Sequence, residues 1–270
     1  NHLGAILKIG QSDMNISEFK IESLNEEITC WLASPDPSKI HKKSGLLLNI
    51  SATRQYALLD STQNHPTEPF LDAGHHVLSF DLPHHGERVK QVYSDAVKES
   101  ANGYLEAMGR ALAAGDDPFK QFVEDGKTSL NVCIEKGIAP NGKIVAYGVS
   151  RGAYCLLRLA AEDKRVHAVA GPSPVTDWSV VTEFANQVDP SITKQIHIEN
   201  WIDHLGEKAV YLSVGSQDTT INTDSCVQFS MELFDKQKQI LPEGVLYNQL
   251  HVVDSPSHSP SKYSRLDATQ

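Results

Sequence analysis

The sequence feature that most constrains the fold is a glycine–serine–glycine turn between an apolar run and a helix-forming run. Residues 144–147 (Ile-Val-Ala-Tyr) are apolar and include β-branched members, which predicts a buried strand. The pentapeptide at residues 148–152 (Gly-Val-Ser-Arg-Gly) follows directly, and residues 153–161 are rich in helix formers. Strand, tight turn and helix form the context in which such a pentapeptide presents a reactive serine. Because a short pattern can arise by chance, this interpretation requires partners for Ser150 elsewhere in the chain.

The two glycines of this turn have a steric explanation. A serine at the apex of a sharp strand-to-helix turn adopts a sparsely populated backbone conformation, at a cost of about 1–3 kcal/mol. The residues two before and two after it crowd each other, and glycine relieves the crowding because it lacks Cβ. The hydroxyl then projects from the sheet edge, beside the free N–H groups of the helix N-terminus. The turn therefore predicts Ser150 as a nucleophile.

Apolar runs typical of strands alternate with helix-forming segments along the rest of the chain. Two early segments alternate apolar and polar residues around Leu24-Asn25, which predicts an antiparallel hairpin. The remaining strands are predicted from continuous apolar runs, and the helices from their capping and stop signals. The predicted segments are strands at 16–21, 27–32, 45–50, 77–81, 166–172, 209–215 and 244–253, and helices at 91–117, 118–136 and 224–238. This alternation predicts an α/β fold, a mainly parallel twisted sheet with helices on both faces.

Two ionisable residues come directly after predicted strands, where partners for Ser150 are expected. In open parallel sheets, functional groups collect at the carboxyl ends of the strands. Asp218 follows the strand at 209–215, and His258 follows the last strand. A serine hydroxyl is a weak nucleophile at neutral pH and requires an adjacent base. Ser150, Asp218 and His258 therefore form the predicted catalytic constellation, in the chain order serine, acid, histidine.

With these residues in this order, the sequence resembles the α/β-hydrolase superfamily from the hairpin to His258. The motifs that carry the resemblance are residues 148–152, residues 81–87 (Asp-Leu-Pro-His-His-Gly-Glu, where the family often has D-L-P-G-H-G) and residues 215–218 (Gly-Ser-Gln-Asp). Residues 149–178 also resemble the dienelactone-hydrolase and prolyl-oligopeptidase-like branch. The resemblance implies that the fold is an α/β-hydrolase fold with an antiparallel N-terminal hairpin.

The whole chain is predicted to form one domain. Its 270 residues are an ordinary length for a single α/β domain, and no internal repeat, low-complexity tract or linker divides it. We therefore expect a single α/β-hydrolase domain over residues 1–270, with small cap-like excursions near 90–117 and 172–206. The resemblance also implies a final helix after His258, and we interpret the sequence from Lys262 onward as its truncated start.

The resemblance implies a role for each residue of the constellation. Ser150 would attack a carbonyl carbon, and His258 would take its proton and return it to the leaving group. Asp218 would hold the imidazole tautomer and stabilise the imidazolium.

Negative charge that develops on the substrate oxygen requires hydrogen-bond donors. The resemblance implies that one is the backbone N–H of Arg151 and that the other follows the strand at 45–50. The His-Gly pair of the family is missing there, and the sequence has Ser51-Ala52 instead. Any residue but proline offers a backbone N–H, so we expect Ala52 as the second donor and keep Ser51 as the alternative.

Other residues compete for the roles of base and acid. His251 lies inside an apolar strand, where a core or edge position is the simpler explanation. Asp224 is placed to cap the next helix, and Asp203 lies in an irregular stretch. Position after a strand favours His258 and Asp218 over all three.

Further candidates have structural explanations as well as functional ones. The pairs His75-His76 and His84-His85 match no metal-binding spacing, so we expect no metal and no cofactor. Arg54 and His84 could line the mouth of a pocket or lie at the surface. Trp178, Phe184 and Trp201 could form the wall of an acyl pocket, although ordinary packing is the simpler interpretation.

Composition narrows the classes of partner. The formal net charge of −10 argues against nucleic acid or an anionic membrane, because both reward a basic face. No apolar run approaches the length of a membrane span. The four cysteines, Cys30, Cys133, Cys155 and Cys226, are scattered and are expected to be small buried hydrophobes. The chain has no signal-peptide pattern, so we expect a cytoplasmic protein, with secretion after removal of a leader as the alternative.

The function implied by the resemblance is hydrolysis of a carboxylic ester through an acyl-enzyme on Ser150. A small ester is the expected substrate, since the chain has no room for a large separate lid. A prolyl-oligopeptidase-like peptidase or amidase is one alternative. A non-catalytic hydrolase-fold protein that binds a ligand is another, and the presence of Ser150, Asp218 and His258 together counts against it.

Overall fold

A single mixed sheet forms the centre of the molecule. The computed structural model describes residues 6–7, 14–99, 102–139, 142, 144–255 and 257–258. The strands of this described part are β1 (Ile6–Leu7), β2 (Asn15–Ser23), β3 (Glu26–Ser34), β4 (Leu46–Ile50), β5 (His76–Phe80), β6 (Ile144–Gly148), β7 (Val166–Pro172), β8 (Ala209–Gly215) and β9 (Asn248–Val253). They lie in the order β1-β2-β3-β5-β4-β6-β7-β8-β9. The pairs β1–β2, β2–β3 and β3–β5 are antiparallel, and every later pair is parallel.

Helices follow most of the parallel strands. They are α1 (Arg54–Leu59), α2 (Thr67–Asp72), α3 (Ser94–Glu99), α4 (Gly103–Ala113), α5 (Pro118–Glu135), α6 (Arg151–Glu162), α7 (Thr182–Ala185), α8 (Pro190–Gln195), α9 (Ile202–Leu205) and α10 (Thr223–Ile240). Among the described residues, none of these helices is both long and apolar enough to cross a membrane.

The predicted N-terminal hairpin is confirmed as β2 and β3. Their register runs from Asn15 opposite Ser34 to Ser23 opposite Glu26. Leu24 and Asn25 form the two-residue turn, and both have a positive φ, of 44° and 69°. Two positive φ values match the twist that a tight hairpin connection needs.

The core lies on both faces of the sheet. Along β4, Leu46 and Leu48 belong to the larger apolar cluster, whereas Leu47 belongs to a second cluster. Successive side chains of a strand point to opposite faces, so the two clusters lie on opposite sides. Helices α4, α5, α6 and α10 contribute to the larger cluster, and α1 contributes Leu58 to the smaller one, with α2 packed against it. The predicted α/β fold with helices on both faces is confirmed.

An apolar groove of about 460 Å³ lies on the face that carries α1 and α2. Side chains from β4, β6, β7, β8 and β9 form its floor, with Phe70 of α2 at one side. None of Ser150, Asp218 and His258 lines it. The groove is therefore separate from the residues that the sequence singles out for chemistry.

Two predicted elements differ from the structure. The helix predicted over 91–117 is instead a short 3-10 turn at Gln91–Tyr93 followed by α3 and α4. Gly103, at the start of α4, packs against the backbone of Ala96 in α3, where a Cβ would be 2.1 Å from the carbonyl oxygen, so the two helices meet at a position that only glycine fits. The last strand begins at Asn248 and not at residue 244. The side chain of Gln237 in α10 accepts hydrogen bonds from the backbone N–H groups of residues 247 and 248 and so anchors the entry to this strand. The helix start predicted from Lys262 lies outside the described residues.

Candidate active site

Ser150 lies at the apex of the turn between β6 and α6. Its backbone has φ 58° and ψ −120°, a conformation that residues with a side chain rarely adopt. Hydrogen bonds hold it there, since the Ser150 N–H donates to the carbonyl of Pro172 (3.0 Å) and the Ser150 carbonyl accepts from Val175 (3.3 Å). The strand-to-helix turn predicted from the sequence is therefore present, and β7 supports it.

The two glycines of the turn occupy positions with no room for a side chain. A Cβ on Gly148 would lie 2.7 Å from the carbonyl oxygen of Ile50 and 2.8 Å from the backbone of Gly152. A Cβ on Gly152 would lie 2.3 Å from the same oxygen of Ile50. The crowding expected from the sequence is therefore real, and the end of β4 adds to it.

A continuous line of hydrogen bonds joins Ser150, His258 and Asp218. The Oγ atom of Ser150 lies 2.9 Å from Nε2 of His258. On the other side of the imidazole, Nδ1 of His258 lies 2.9 Å from Oδ2 of Asp218. An ionised carboxylate only accepts hydrogen bonds, so Nδ1 carries a proton and Nε2 is left to accept from the serine hydroxyl. The structure thus brings the three predicted residues together, although they are far apart along the chain.

Asp218 is held rigidly at the carboxyl end of β8. Its side chain is fully buried, and Oδ1 accepts hydrogen bonds from the backbone N–H groups of Thr220 (2.9 Å) and Ile221 (3.2 Å). Burial alone would raise the pKa of Asp218. The hydrogen bond and charge of His258, together with those two N–H groups, outweigh burial and lower the pKa below its ordinary value. The carboxylate is therefore ionised and has one oxygen left for the imidazole.

The loop that carries His258 is fastened to the loop that carries Asp218. Ser216 donates its backbone N–H to Val253 (2.8 Å), and Gln217 donates to Ser255 (3.2 Å). Gly215 lies under this contact, and a Cβ there would be 2.9 Å from the carbonyl oxygen of Ser257. The ends of β8 and β9 therefore approach closely, which places imidazole and carboxylate side by side.

The two predicted backbone donors lie on neighbouring elements. Arg151 is the first residue of α6, and Ala52 follows β4. Within the described part of the chain, neither N–H donates a hydrogen bond. The backbone of Ile50 and Ser51 touches Gly152, which keeps the loop after β4 next to the turn at Ser150. Both N–H groups therefore lie on elements that meet at the turn of Ser150.

Asp81 fastens the loop after β4, a role that the sequence interpretation missed. Its Oδ1 accepts from the backbone N–H of Arg54 (2.8 Å), and its Oδ2 lies 2.7 Å from Nη1 of the same arginine. Both side chains are buried, and Glu87 accepts from Nη2 of Arg54 at 2.7 Å. The carbonyl of Ala52 also accepts from Leu82 (3.3 Å). The only sequence signal was the position of Asp81 in the Asp-Leu-Pro-His-His-Gly-Glu motif.

The competing base, His251, and the competing acids, Asp203 and Asp224, are placed away from Ser150 in the hydrogen-bond network. His251, on β9, has its Nδ1 3.3 Å from Oη of Tyr211. Asp203 forms an ion pair with Lys236 at 2.6 Å. Asp224 is exposed in the first turn of α10, and the side chain that caps this helix is that of Asn222, contrary to the expectation for Asp224. None of the three takes part in the hydrogen-bond line through Ser150.

The remaining candidates have structural contacts. Trp178 and Phe184 are fully buried in an aromatic cluster with Phe119, and Trp201 stacks on the guanidinium of Arg158, so ordinary packing accounts for them. Arg54 and His84 are buried and so do not lie at the surface. Among the described residues, no group of three or more histidine, cysteine, aspartate or glutamate side chains is arranged to hold a metal ion.

Comparisons with known proteins identify the fold. No protein-family model matches the chain. No curated protein sequence matches it either. A cold-adapted esterase from an Arctic intertidal metagenomic library is a structural neighbour with a TM-score of 0.66 and 16% identity, over 95% of this chain and 91% of the esterase.

Two peptidases are structural neighbours as well. The acylaminoacyl peptidase of Pyrococcus horikoshii has a TM-score of 0.66 and 13% identity, and the puromycin-hydrolysing peptidase of Mycobacterium tuberculosis has a TM-score of 0.68 and 13% identity. Each match covers 95% of this chain but only 40% and 38% of the respective peptidase. The chain therefore spans less than half the length of these two peptidases. Together with the sheet order and the turn at Ser150, the three neighbours show that the chain has the α/β-hydrolase fold.

Proposed function

We propose that this chain, which has the α/β-hydrolase fold, is a serine hydrolase that cleaves carboxylic esters through an acyl-enzyme on Ser150. One observation carries the proposal, the line of hydrogen bonds from Ser150 through His258 to Asp218, with both contacts at 2.9 Å. A hydroxyl, an imidazole and a buried carboxylate in this arrangement make a serine nucleophilic at neutral pH. The side chain of Asp218 is also held by two backbone N–H groups, and the backbone of Ser150 is held by hydrogen bonds to Pro172 and Val175, as preorganised catalysis requires.

In the proposed reaction, Oγ of Ser150 attacks the carbonyl carbon of the ester while Nε2 of His258 takes the hydroxyl proton. The carbon–oxygen bond to the alcohol then breaks, and the imidazolium returns the proton to the departing oxygen. A water molecule then attacks the acyl-enzyme in the same way, with His258 taking its proton, and releases the carboxylic acid and free Ser150. Asp218 stays ionised throughout and stabilises the imidazolium.

The oxyanion formed at each addition step is assigned to the N–H groups of Arg151 and Ala52. Two observations support this assignment. Neither N–H group donates to another described residue, and the loop after β4 touches the turn at Ser150. Removing one donor of this kind costs about 2.7–4 kcal/mol of transition-state stabilisation. Because both donors are backbone groups, the loop position matters more than the identity of its side chains.

An ester is the favoured substrate, and a peptide or amide is the second candidate. The ester is favoured because the esterase neighbour has the higher identity to this chain, 16% against 13% for the acylaminoacyl peptidase. The peptidase candidate is supported by the similar TM-scores of the two kinds of neighbour. Turnover of p-nitrophenyl acetate compared with that of aminoacyl p-nitroanilides separates the candidates. We expect faster cleavage of the ester. Preference for the anilides would mean that the substrate class is an amide and not an ester.

A fluorophosphonate probe tests the nucleophile directly. We expect one covalent adduct per chain, located at Ser150 by peptide mass spectrometry and absent from the Ser150→Ala variant. Ser179→Ala is the matched control, because Ser179 is an exposed serine outside the constellation, and it should label like the wild type. Labelling that persists in Ser150→Ala would disprove the proposed nucleophile.

A further inference from the structure

The guanidinium of Arg151 has no anionic partner. Six arginines lie in the described part of the chain, and five of them form ion pairs with a carboxylate. Within that part, no carboxylate oxygen lies within 4.0 Å of the nitrogens of Arg151. The exception is thus the arginine that directly follows the proposed nucleophile.

Burial makes this missing partner costly. Arg151 is partly buried as a residue, but its Nη1 atom is shielded from solvent and has no hydrogen-bond partner. Burial also lowers the pKa of Arg151 to about 10, a value at which the group still carries its charge at neutral pH. A shielded charge without a partner is strongly destabilising, and proteins rarely keep one without a ligand or function.

None of the described groups around Arg151 forms an ion pair with it. Burial lowers the pKa of His85 well below its usual value, and burial raises the pKa of the Cys155 thiol to about 12, so both are neutral. Glu183 is the carboxylate whose charge acts on Arg151, and its Oε1 accepts a hydrogen bond from the side chain of Asn102 at 2.5 Å. The N–H groups on Nη1 of Arg151 therefore remain without an acceptor in the described part of the protein.

Arg151 is also the immediate neighbour of the proposed nucleophile in the chain. Consecutive Cα atoms are about 3.8 Å apart, so Arg151 and Ser150 are immediate neighbours. Side chains of a helix tilt towards its N-terminus, and Arg151 is the first residue of α6, so its side chain leans to the end at which Ser150 lies. The electrostatic neighbours Tyr104 and Glu183 come from α4 and α7, in the two excursions from the sheet. The guanidinium therefore lies near α4 and α7, on the helix that begins directly after Ser150.

We propose that the side chain of Arg151 binds a carboxylate of the substrate, so that the preferred esters carry a negative charge. The inference rests on the proposed hydrolase function and adds the chemical class of the substrate. A carboxylate matches the two parallel N–H donors that a guanidinium presents. Its binding supplies the counter-charge that the protein itself does not.

Matched pairs of esters test the preference on either side of the scissile bond. The acyl-side pair is the mono-p-nitrophenyl ester of adipic acid and the same ester of its monoamide. The alcohol-side pair is p-acetoxybenzoate and p-acetoxybenzamide. A charge-assisted hydrogen bond in place of a neutral one corresponds to about tenfold or more in kcat/KM. We expect the charged member of one pair to be preferred by at least about that factor.

Variants assign the preference to Arg151. Arg151→Gln should bring the ratio of charged to neutral kcat/KM close to one, and Arg151→Lys should keep part of it. Arg158→Gln is the matched control, since Arg158 lies on the same helix but is paired with Glu162, and its ratio should equal that of the wild type. A wild-type ratio near one in both pairs, or a ratio that Arg151→Gln leaves unchanged, would overturn the inference.

A binding measurement keeps this test separate from the proposed function. Calorimetry with the Ser150→Ala variant requires no turnover, and we expect adipate or p-hydroxybenzoate to bind at least about tenfold more tightly than the matching amide. The selectivity should vanish in the Ser150→Ala, Arg151→Gln double variant. Selective binding without fluorophosphonate labelling would disprove the proposed hydrolase function and leave carboxylate binding by Arg151 standing. Labelling of Ser150 with equal or undetectable binding of the carboxylates would defeat the Arg151 inference alone.

Discussion

Asp218 is the residue at which the proposed mechanism is most sharply testable. Asp218→Asn keeps the shape of the side chain but removes the charge, and the amide nitrogen cannot accept the proton of His258 Nδ1. The imidazole then favours the tautomer that cannot take the proton of Ser150, and we expect kcat to fall by about 10⁴-fold. The measurement is steady-state hydrolysis of p-nitrophenyl acetate.

Asp224→Asn provides the control for that experiment. Asp224 follows the same strand but is exposed in the first turn of α10, so its variant should keep wild-type kcat. Near-normal turnover of Asp218→Asn, with an unchanged unfolding temperature, would mean that another group orients the base.

At the scale of single residues, the sequence shows which side chains follow strands. It does not show which other side chains they contact in the folded protein. Ser150, Asp218 and His258 could be singled out because a parallel sheet collects its strand ends at one edge. The contact of Asp81 with Arg54 and the isolation of Arg151 could not, since both depend on which side chains meet after folding. The sequence predicts Asp224 as the helix cap, whereas Asn222 supplies it; both residue types suit an N-terminus, and only the backbone decides between two such close positions.

Among the elements, the loop after β4 depends most on a single tertiary contact. Asp81→Ala removes the acceptor of the Arg54 backbone N–H and leaves the buried Arg54 guanidinium with the exposed Glu87 alone. Breaking a buried pair of this kind costs about 3–5 kcal/mol, which we expect in the free energy of unfolding from urea titration. We also expect a lower kcat, because the loop that carries the proposed donor Ala52 would lose its anchor.

Glu87→Gln separates this effect from a general loss of charge. Glu87 binds the same guanidinium, but 66% of its side chain is exposed, so its pair with Arg54 is worth at most about 1 kcal/mol. If Asp81→Ala were no less stable than Glu87→Gln, Asp81 would not be the contact that fastens the loop after β4 through Arg54.

The elements themselves were predicted best where the chain carries a strong local signal. The hairpin turn at Leu24-Asn25 and the strand before Ser150 follow from short-range sterics and apolar patterning. The alanine and leucine content of segment 91–117 favours helix throughout and predicts a single helix there. In the structure Gly103 packs on the backbone of Ala96, a contact between α3 and α4 that no local pattern predicts.

At the scale of the whole molecule, four cysteines report on unfolding. Cys30, Cys133, Cys155 and Cys226 are buried free thiols, and burial raises the pKa of the last three to about 12. We expect no reaction with a disulfide reagent such as DTNB in the native protein, and four thiols per chain in denaturant, because a buried neutral thiol neither meets the reagent nor ionises.

The rate of thiol exposure should follow the rate of global unfolding. Pre-treatment with a reductant is the control and should leave the count of four unchanged, since the cysteines are unpaired. A thiol that reacts at once without denaturant would contradict the close packing of the core around it.

The position of β9 has a consequence for how long such a protein would remain active. Ser150 and Asp218 follow interior strands, whereas His258 follows β9, which pairs with β8 alone among the described strands. Edge strands open at a lower free energy than the central strands of a sheet. Mild heat or denaturant would therefore detach the proton acceptor while the thiols are still protected, so that inactivation precedes melting. Durability under stress would then be a property of one border strand and not of the core.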